Sequence, residues 1–93
     1  MSQAKIGLLG TGFVADLYMQ SLRFVRDCDV VACFSRDEES ARAFADKWNI
    51  PEHTTDMDAL INSPAVDLVI VAVPHNAHAA VVPKIAAANK AVI

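Results

Sequence analysis

The glycine-rich segment at residues 6–15 constrains the fold of this chain more than any other part of the sequence. It combines an apolar run with the pattern G-x-G-x-x-A, at Gly10, Gly12 and Ala15. All glycines of the chain lie within it, the remaining one being Gly7. The pattern predicts a strand, a tight turn and the start of a helix, whose backbone N–H groups bind the pyrophosphate of a dinucleotide.

Each small residue of the pattern has a distinct predicted role. Gly10 lets the chain leave the strand in a turn that a Cβ would obstruct, and Gly12 leaves room for the pyrophosphate at the backbone. Ala15 is small enough for the helix to pack close to the strand. The alternative is a plain strand-to-helix connection without a ligand. We assign the turn to a cofactor-binding site made of Gly10, Thr11, Gly12, Phe13 and Val14.

The alternation of apolar and amphipathic segments predicts the fold. Strands are expected at residues 5–9, 30–34, 52–54, 66–73 and 91–93. Helical patterns separate them and no hairpin signal occurs, so the sheet should be parallel with right-handed crossovers. We predict one α/β domain over residues 1–93, a doubly wound Rossmann sheet with strand order 3-2-1-4-5, incomplete at its end.

The helical patterns also predict which side chains face the core. In the first helix the spaced residues are Val14, Leu17, Tyr18, Ser21, Leu22 and Val25. In the last helix they are Val81, Val82, Ile85 and Ala86. Pro83 conflicts with a helix over residues 77–88, so the helix either begins near Val82 or is kinked. The expected capping residues are Ser35 or Asp37, Asp56, and, at the carboxyl ends, Asn49 and Asn89.

The end of the second strand carries Ser35 and Arg36. In this fold an acidic residue at that place binds the ribose hydroxyls of NAD. Ser35 is neutral and would not repel a 2′-phosphate, whereas Arg36 can pair with it through its planar guanidinium. The two residues favour NADP as cofactor. If Ser35 is only a helix cap and Arg36 only a solvated surface residue, NAD or the use of both cofactors stays open.

The end of the fourth strand supplies the other side of the predicted crevice, at residues 73–78. Pro74 would present its backbone near the nicotinamide ribose, and His75 and Asn76 could hydrogen-bond the cofactor. We expect His78 to cap or orient the following helix rather than to transfer a proton. The candidate cofactor residues here are Val73, Pro74, His75, Asn76 and His78. No residue is assigned to catalysis or to a metal, and His53 is expected in a surface loop.

Composition excludes several classes of protein. The net charge of −3 gives no sign of nucleic-acid binding by a basic surface, and no apolar run is long enough to span a membrane. The first strand begins near Lys5, which leaves no room for a signal peptide, so cytoplasm is the expected location. Cys33 lies in an apolar run and is expected in the core, without a disulfide.

Taken together, the motifs resemble those of the Gfo/Idh/MocA oxidoreductases over essentially the whole chain. The matching parts are residues 10–15, residues 67–74, His78 four positions after the proline, and residues 87–93. Three departures are the lack of an acid at Ser35, His75 where asparagine is common, and asparagine in place of glycine at position 89.

The resemblance implies hydride transfer between NAD(P) and a sugar, polyol or related hydroxyl compound. It also implies that the family's Glu-Lys-Pro motif, with its catalytic lysine, would follow Ile93. A carboxyl-terminal α/β domain would then hold the substrate and the interface of a homo-oligomer. The 93 residues alone are expected to have no dehydrogenase activity.

Two other functions fit the same fold. A non-catalytic NAD(P)-binding redox sensor or regulator would use the same turn, and the fold by itself cannot exclude it. A methyltransferase would bind S-adenosylmethionine, but it would want an acid at the end of the second strand. Ser35 and Arg36 argue against that second alternative.

Overall fold

The computed structural model of the protein describes residues 4–22, 28–72 and 78–92. Strands and helices alternate along these residues. In chain order they are β1 (Ala4–Leu9), α1 (Phe13–Leu22), β2 (Cys28–Phe34), α2 (Glu38–Trp48), β3 (Glu52–Thr54), α3 (Met57–Ile61), β4 (Leu68–Val71), α4 (His78–Ala87) and β5 (Ala91–Val92). The predicted α/β class is confirmed.

The five strands form one parallel sheet in the order β3-β2-β1-β4-β5. β1 lies at the centre, with Leu9 opposite Phe34 of β2 and opposite Val71 of β4. The register to β2 shifts by one residue after Ile6, so that Val31 has no partner in β1. The predicted strand order, with the first and fourth strands adjacent, is confirmed.

Helices cover both faces of the sheet, as expected for a doubly wound domain. Alternate residues of β1 point to opposite faces, which is why Ile6 and Leu8 join one core cluster and Leu9 joins the other. The first cluster contains buried residues of α1 and α2, including Ala15, Met19, Phe44 and Ala45. The second contains buried residues of α3 and α4, namely Leu60, Ile61, Val81 and Ile85.

The helix ends follow local sequence signals. Asp37 caps α2 by accepting a hydrogen bond from the Ser40 backbone N–H, at 3.0 Å, and Asp56 caps α3 in the same way. Asn49 and Asn89 adopt the left-handed conformation with φ of 56° and 59°. These predictions are confirmed, and Asp37 rather than Ser35 is the cap of α2.

Two predicted helix faces are partly wrong. In α1 the buried residues are Ala15 and Met19, whereas Val14, Leu17 and Ser21 are exposed. α1 is apolar around much of its circumference, so periodicity alone does not choose a face. The small Ala15, which is fully buried, sets which side approaches the sheet.

In α4 the residues Val81 and Ile85 are buried as predicted, but Val82 and Ala86 are exposed. The helix begins at His78 and contains Pro83, so the alternative of a start near Val82 is wrong. Of the remaining predicted positions, Val25 lies outside the described residues, and β4 begins two residues later than Val66.

Gly7 allows the closest packing between β1 and α3. A Cβ built on Gly7 would lie 2.6 Å from Leu60 Cδ2 and 3.1 Å from Val66 Cγ1, and both of those residues are buried. We therefore expect Gly7→Ala to lower the free energy of unfolding by about 1–3 kcal/mol, measured by urea denaturation. Adding Leu60→Ala should cost less in this background than in the native protein, because it removes the clash. Additive costs would contradict this packing.

Candidate functional site

The carboxyl ends of the three central strands meet at one edge of the sheet. The backbone N–H of Gly10 donates to the Phe34 carbonyl oxygen of β2, at 2.8 Å. On the other side of β1, the N–H of Ala72 donates to the Leu9 carbonyl oxygen, also at 2.8 Å. These bonds extend the ladders beyond the strand ends. They place the start of the glycine turn between Phe34 at the end of β2 and Ala72, the residue after β4.

Glycine occupies positions 10 and 12 of the turn for different reasons. Gly10 has φ of 111°, a left-handed backbone conformation that L side chains rarely adopt. A Cβ built on Gly12 would meet nothing within 4 Å, so neither backbone strain nor crowding within the protein requires glycine there. The space beside Gly12 is open to a ligand.

Among the described residues, no carboxylate caps the amino terminus of α1, whereas Asp37 and Asp56 cap α2 and α3. The Gly12 carbonyl accepts the first helical hydrogen bond, from the Asp16 N–H, at 3.1 Å. The N–H groups of the preceding turn have no acceptor inside the helix. Asp37 and Asp56 supply acceptors for α2 and α3, but Gly12 has no side chain that could do so. This end of α1 therefore presents donors and the positive end of a helix dipole.

Within the turn, Thr11 and Gly10 are half-buried, whereas Phe13 and Val14 at the start of α1 are exposed, Phe13 by 76%. Because the large Phe13 side chain has little protein to pack against, it lies where a bound molecule could cover it. The predicted cofactor residues of this turn, Gly10 to Val14, follow one another in the chain directly after β1.

Ser35 and Arg36 follow β2 at the same edge. The Ser35 N–H donates to the Thr54 carbonyl oxygen at 3.2 Å, which ties it to the end of β3. Its hydroxyl oxygen lies 3.4 Å from the Asp37 backbone nitrogen, which donates to it. Arg36 is exposed, so its guanidinium is accessible to a ligand at this edge.

Three carboxylates follow Arg36 directly, and the first of them, Asp37, was predicted as a possible helix cap. The Asp37 carboxylate accepts from both the backbone and the hydroxyl of Ser40. The Glu38 carboxylate lies 3.1 Å from Nε2 of His53. His53 is in strand β3, which confirms the strand predicted at residues 52–54, so the separate expectation of a surface loop for His53 is wrong. The pairing had no sequence signal, since it depends on β3 lying beside β2.

The side of the crevice contributed by β4 is only partly described. Val73, Pro74, His75 and Asn76 lie outside the described residues. His78 is the first residue of α4, and the position of its side chain is likewise outside the described part. Their cofactor contacts stay a prediction.

Asp16, in the first turn of α1, links that helix to the end of α2. Its Oδ1 accepts a hydrogen bond from the Trp48 indole N–H at 2.9 Å and lies 3.2 Å from the Lys47 ammonium. The indole hydrogen bond is the largest cause of the lowered pKa of Asp16, and Lys47 adds to it. The link holds α1, and with it the glycine turn, against α2.

Cys33 is the buried nucleophilic group of this region and is confirmed as a core residue. Its thiol donates to the Ala41 carbonyl oxygen, and burial raises the pKa of Cys33 to about 11. The thiol is protonated at neutral pH, so it is not an activated nucleophile.

Across the described ranges, none of the helices has the length and apolar character needed to cross a membrane. The same residues contain no group of three or more His, Cys, Asp or Glu side chains that could hold a metal ion.

Comparison with known sequences identifies a family. A sequence model of an oxidoreductase family, described as having an NAD-binding Rossmann fold, matches residues 4–93. Uncharacterized protein YMR315W of Saccharomyces cerevisiae is 34% identical over 97 residues, covering 100% of this chain and 28% of the yeast protein. The scyllo-inositol 2-dehydrogenase (NADP(+)) IolU of Bacillus subtilis is 28% identical over 80% of this chain and 23% of its own length.

A solved structure agrees with the fold. The myo-inositol dehydrogenase of Lactobacillus casei, in complex with NAD(H) and myo-inositol, superposes with a TM-score of 0.89 at 28% identity. The superposition covers 97% of this chain and 27% of that enzyme. The chain thus spans about a quarter of the length of the proteins to which it is similar.

The interactions of Asp16 predict that the fold becomes less stable in acid. Because the folded-state pKa of Asp16 is below its ordinary value of 3.8, its charge stabilises the fold above that pH, and this contribution is lost as pH falls through the lower folded value. Asp16→Asn keeps an acceptor for the indole but loses the charge. We expect it to lower the free energy of unfolding at pH 7, by about 1 kcal/mol, and much less near pH 2.

Trp48 is the only tryptophan of the chain, so its fluorescence reports the unfolding. Asp58→Asn is the matched control, since Asp58 pairs with Lys84 at 3.3 Å on an exposed surface and should change stability by less than about 0.5 kcal/mol. An Asp16→Asn cost that is equal at both pH values would contradict the assigned role of the charge.

Proposed function

The chain belongs to the Gfo/Idh/MocA oxidoreductases, whose family model describes an NAD-binding Rossmann fold, and from this membership we propose how its residues hold the cofactor. The pyrophosphate binds at the amino terminus of α1, against the backbone of Gly10, Thr11 and Gly12. Phe13 and Val14 border the bound dinucleotide. The cofactor carries the hydride, and the domain binds and orients it.

One observation carries this proposal more than any other. Of the three helices that begin at described turns, α2 and α3 each have one amino-terminal N–H bonded to a carboxylate, that of Asp37 or Asp56, whereas α1 begins at Gly12. The turn combines N–H donors that have no acceptor inside the helix, a helix dipole and open space for an anion. A diphosphate supplies the charge and the acceptor oxygens that this arrangement lacks.

We further propose that the cofactor is preferentially NADP. Arg36 is exposed beside the end of β2, and Ser35 puts no negative charge where the adenosine ribose would lie. A guanidinium recognises a phosphate through paired hydrogen bonds, so the 2′-phosphate is the expected partner of Arg36. IolU, a relative, carries NADP(+) in its name, while the myo-inositol dehydrogenase structure contains NAD(H).

The substrate and the remaining machinery are proposed by analogy with the family. The inositol dehydrogenases among the similar proteins support a sugar, polyol or related hydroxyl compound as substrate. A separate carboxyl-terminal domain would hold it and would supply the oligomer interface, and a lysine outside these residues would transfer the proton. Val73, Pro74, His75, Asn76 and His78 are proposed to contact the nicotinamide half of the cofactor.

Titration of the 93-residue chain tests the cofactor site. We expect NADPH and NADH both to quench the fluorescence of Trp48 or to release heat in calorimetry, with NADPH binding more tightly and S-adenosylmethionine not binding. Gly12→Ala should weaken both dinucleotides by about tenfold or more, because its Cβ occupies the space left for the pyrophosphate. The free energy of unfolding should stay within about 0.5 kcal/mol of the native value, since nothing in the protein meets that Cβ.

Gly7→Ala is the matched control for this measurement. It inserts the same methyl group five residues earlier, where it should cost stability but, in the folded population, leave dinucleotide affinity unchanged. If Gly12→Ala bound both dinucleotides like the native chain, the proposed pyrophosphate site would be wrong.

The 93-residue chain should bind the cofactor without oxidising a substrate. Incubation with NADP⁺ or NAD⁺ and inositols or sugars should give no rise in absorbance at the reduced-nicotinamide band, because the proposed substrate-holding domain lies outside these 93 residues. IolU, assayed in parallel with scyllo-inositol, is the positive control. Turnover by the short chain above the rate of a no-protein blank would contradict the proposal that substrate oxidation needs residues outside this chain.

A further inference from the structure

Glu38 occupies a position that should disturb recognition of a 2′-phosphate. It is the first residue of α2 and lies two residues after Arg36, the proposed partner of the phosphate. A carboxylate at this distance along the chain can either repel a phosphate dianion or pair with the guanidinium in its place. The glutamate side chain is 65% exposed, so packing does not fix its direction.

His53 instead fixes the direction of Glu38. Nε2 of His53 lies 3.1 Å from Oε1 of Glu38. An ionised carboxylate only accepts hydrogen bonds, so Nε2 is the donor. The imidazole is less exposed than the glutamate, with 31% of its side chain accessible.

The strand that carries His53 is anchored to the proposed site. β3 pairs with β2 in parallel, with His53 opposite Cys33 and Thr54 opposite Phe34. The Ser35 N–H then continues the ladder to the Thr54 carbonyl oxygen. His53 is therefore held at a constant offset from the segment that bears Arg36. It draws the Glu38 carboxylate toward the β3 edge.

The neighbouring acid is held in a comparable way. The Asp37 carboxylate is engaged by the backbone N–H of Ser40 at 3.0 Å and by its hydroxyl at 2.9 Å. Both of the first two carboxylates after Arg36 thus have donors other than the guanidinium. The Asp37 interaction is an ordinary helix cap, but the Glu38 interaction needs a residue from another strand.

We propose that the His53–Glu38 pair is a specificity determinant for the cofactor, because it keeps the carboxylate away from Arg36 and leaves the guanidinium to a 2′-phosphate. This inference rests on the proposed function, namely dinucleotide binding with Arg36 at the adenosine ribose. His53 acts through Glu38 and is a positioning residue. NADH has a neutral hydroxyl in place of the phosphate, so the pair affects NADPH binding and not NADH binding.

The test is a double-mutant cycle read with two ligands. Dissociation constants for NADPH and NADH are measured at low salt for the native chain, His53→Ala, Glu38→Gln and the double variant. His53→Ala should weaken NADPH about two- to fivefold, the range of an exposed ion pair, and leave NADH within experimental error. In the Glu38→Gln background the same substitution should have no effect on NADPH, because no carboxylate remains to be held.

Three further variants make the result specific. His53→Gln keeps a side-chain donor and should restore part of the NADPH affinity. Asp58→Asn removes an exposed ion pair between α3 and α4 and should change neither constant. Arg36→Ala should abolish the preference for NADPH and, with it, the effect of His53→Ala. Circular dichroism and the melting temperature confirm that each variant is folded, and Glu38→Gln alters only an exposed side chain.

The possible failures are distinguishable. If the native chain binds neither dinucleotide, the proposed function is wrong and this inference falls with it. If both bind but His53→Ala weakens NADPH and NADH equally, or acts equally in the Glu38→Gln background, the proposed function stands and the His53–Glu38 inference is overturned.

Discussion

The placement of β1 between two parallel neighbours is the constraint on which the rest of this structure depends. Its last peptide is bonded on both sides, through the Leu9 carbonyl oxygen to Ala72 and through the Gly10 N–H to Phe34. The strand can then leave the sheet only by a sharp turn, and the positive φ of Gly10 provides it. The carboxyl ends of β2, β1 and β4 consequently lie at one edge, where a parallel sheet of this winding binds its ligands.

The helix amino termini described in this domain are of two kinds. Some are capped by a side chain of the protein, and one begins at a glycine and is proposed to bind a ligand. Asp37 and Asp56 each accept a hydrogen bond from one N–H in the first turn of α2 and α3, which stabilises those helices without a ligand. The start of α1 forgoes this stabilisation, because Gly12 has no side chain. The hydrogen bond from Trp48 to Asp16 offsets part of this lost stabilisation, because it connects the first turn of α1 to α2. The uncapped end is thus held in position while it stays open to an anion.

The sequence was sufficient for features whose cause is local. Left-handed asparagines, aspartate caps and apolar strands each depend on a few neighbouring residues, and Asn49, Asp56 and Cys33 were placed correctly. Periodicity failed for α1, where Leu17 is 46% exposed. A helix with apolar residues on most sides has no single preferred face in the sequence, and its orientation follows from close packing at Ala15. The strand at residues 52–54 was predicted, but His53 within it was also expected in a loop, because three residues of edge strand carry almost no periodic signal.

By itself, the sequence determined the glycine turn, the alternation of strands and helices, and the family to which they belong, because these follow from backbone preferences and hydrophobic pattern over short spans. Only the tertiary structure decided which charged groups meet. Asp16 reaches Trp48 across 32 residues of chain, and His53 reaches Glu38 across 15. Such contacts depend on strand order, register and the seating of each helix. No local pattern encodes them, since many partners of similar charge are available and only the assembled sheet selects among them.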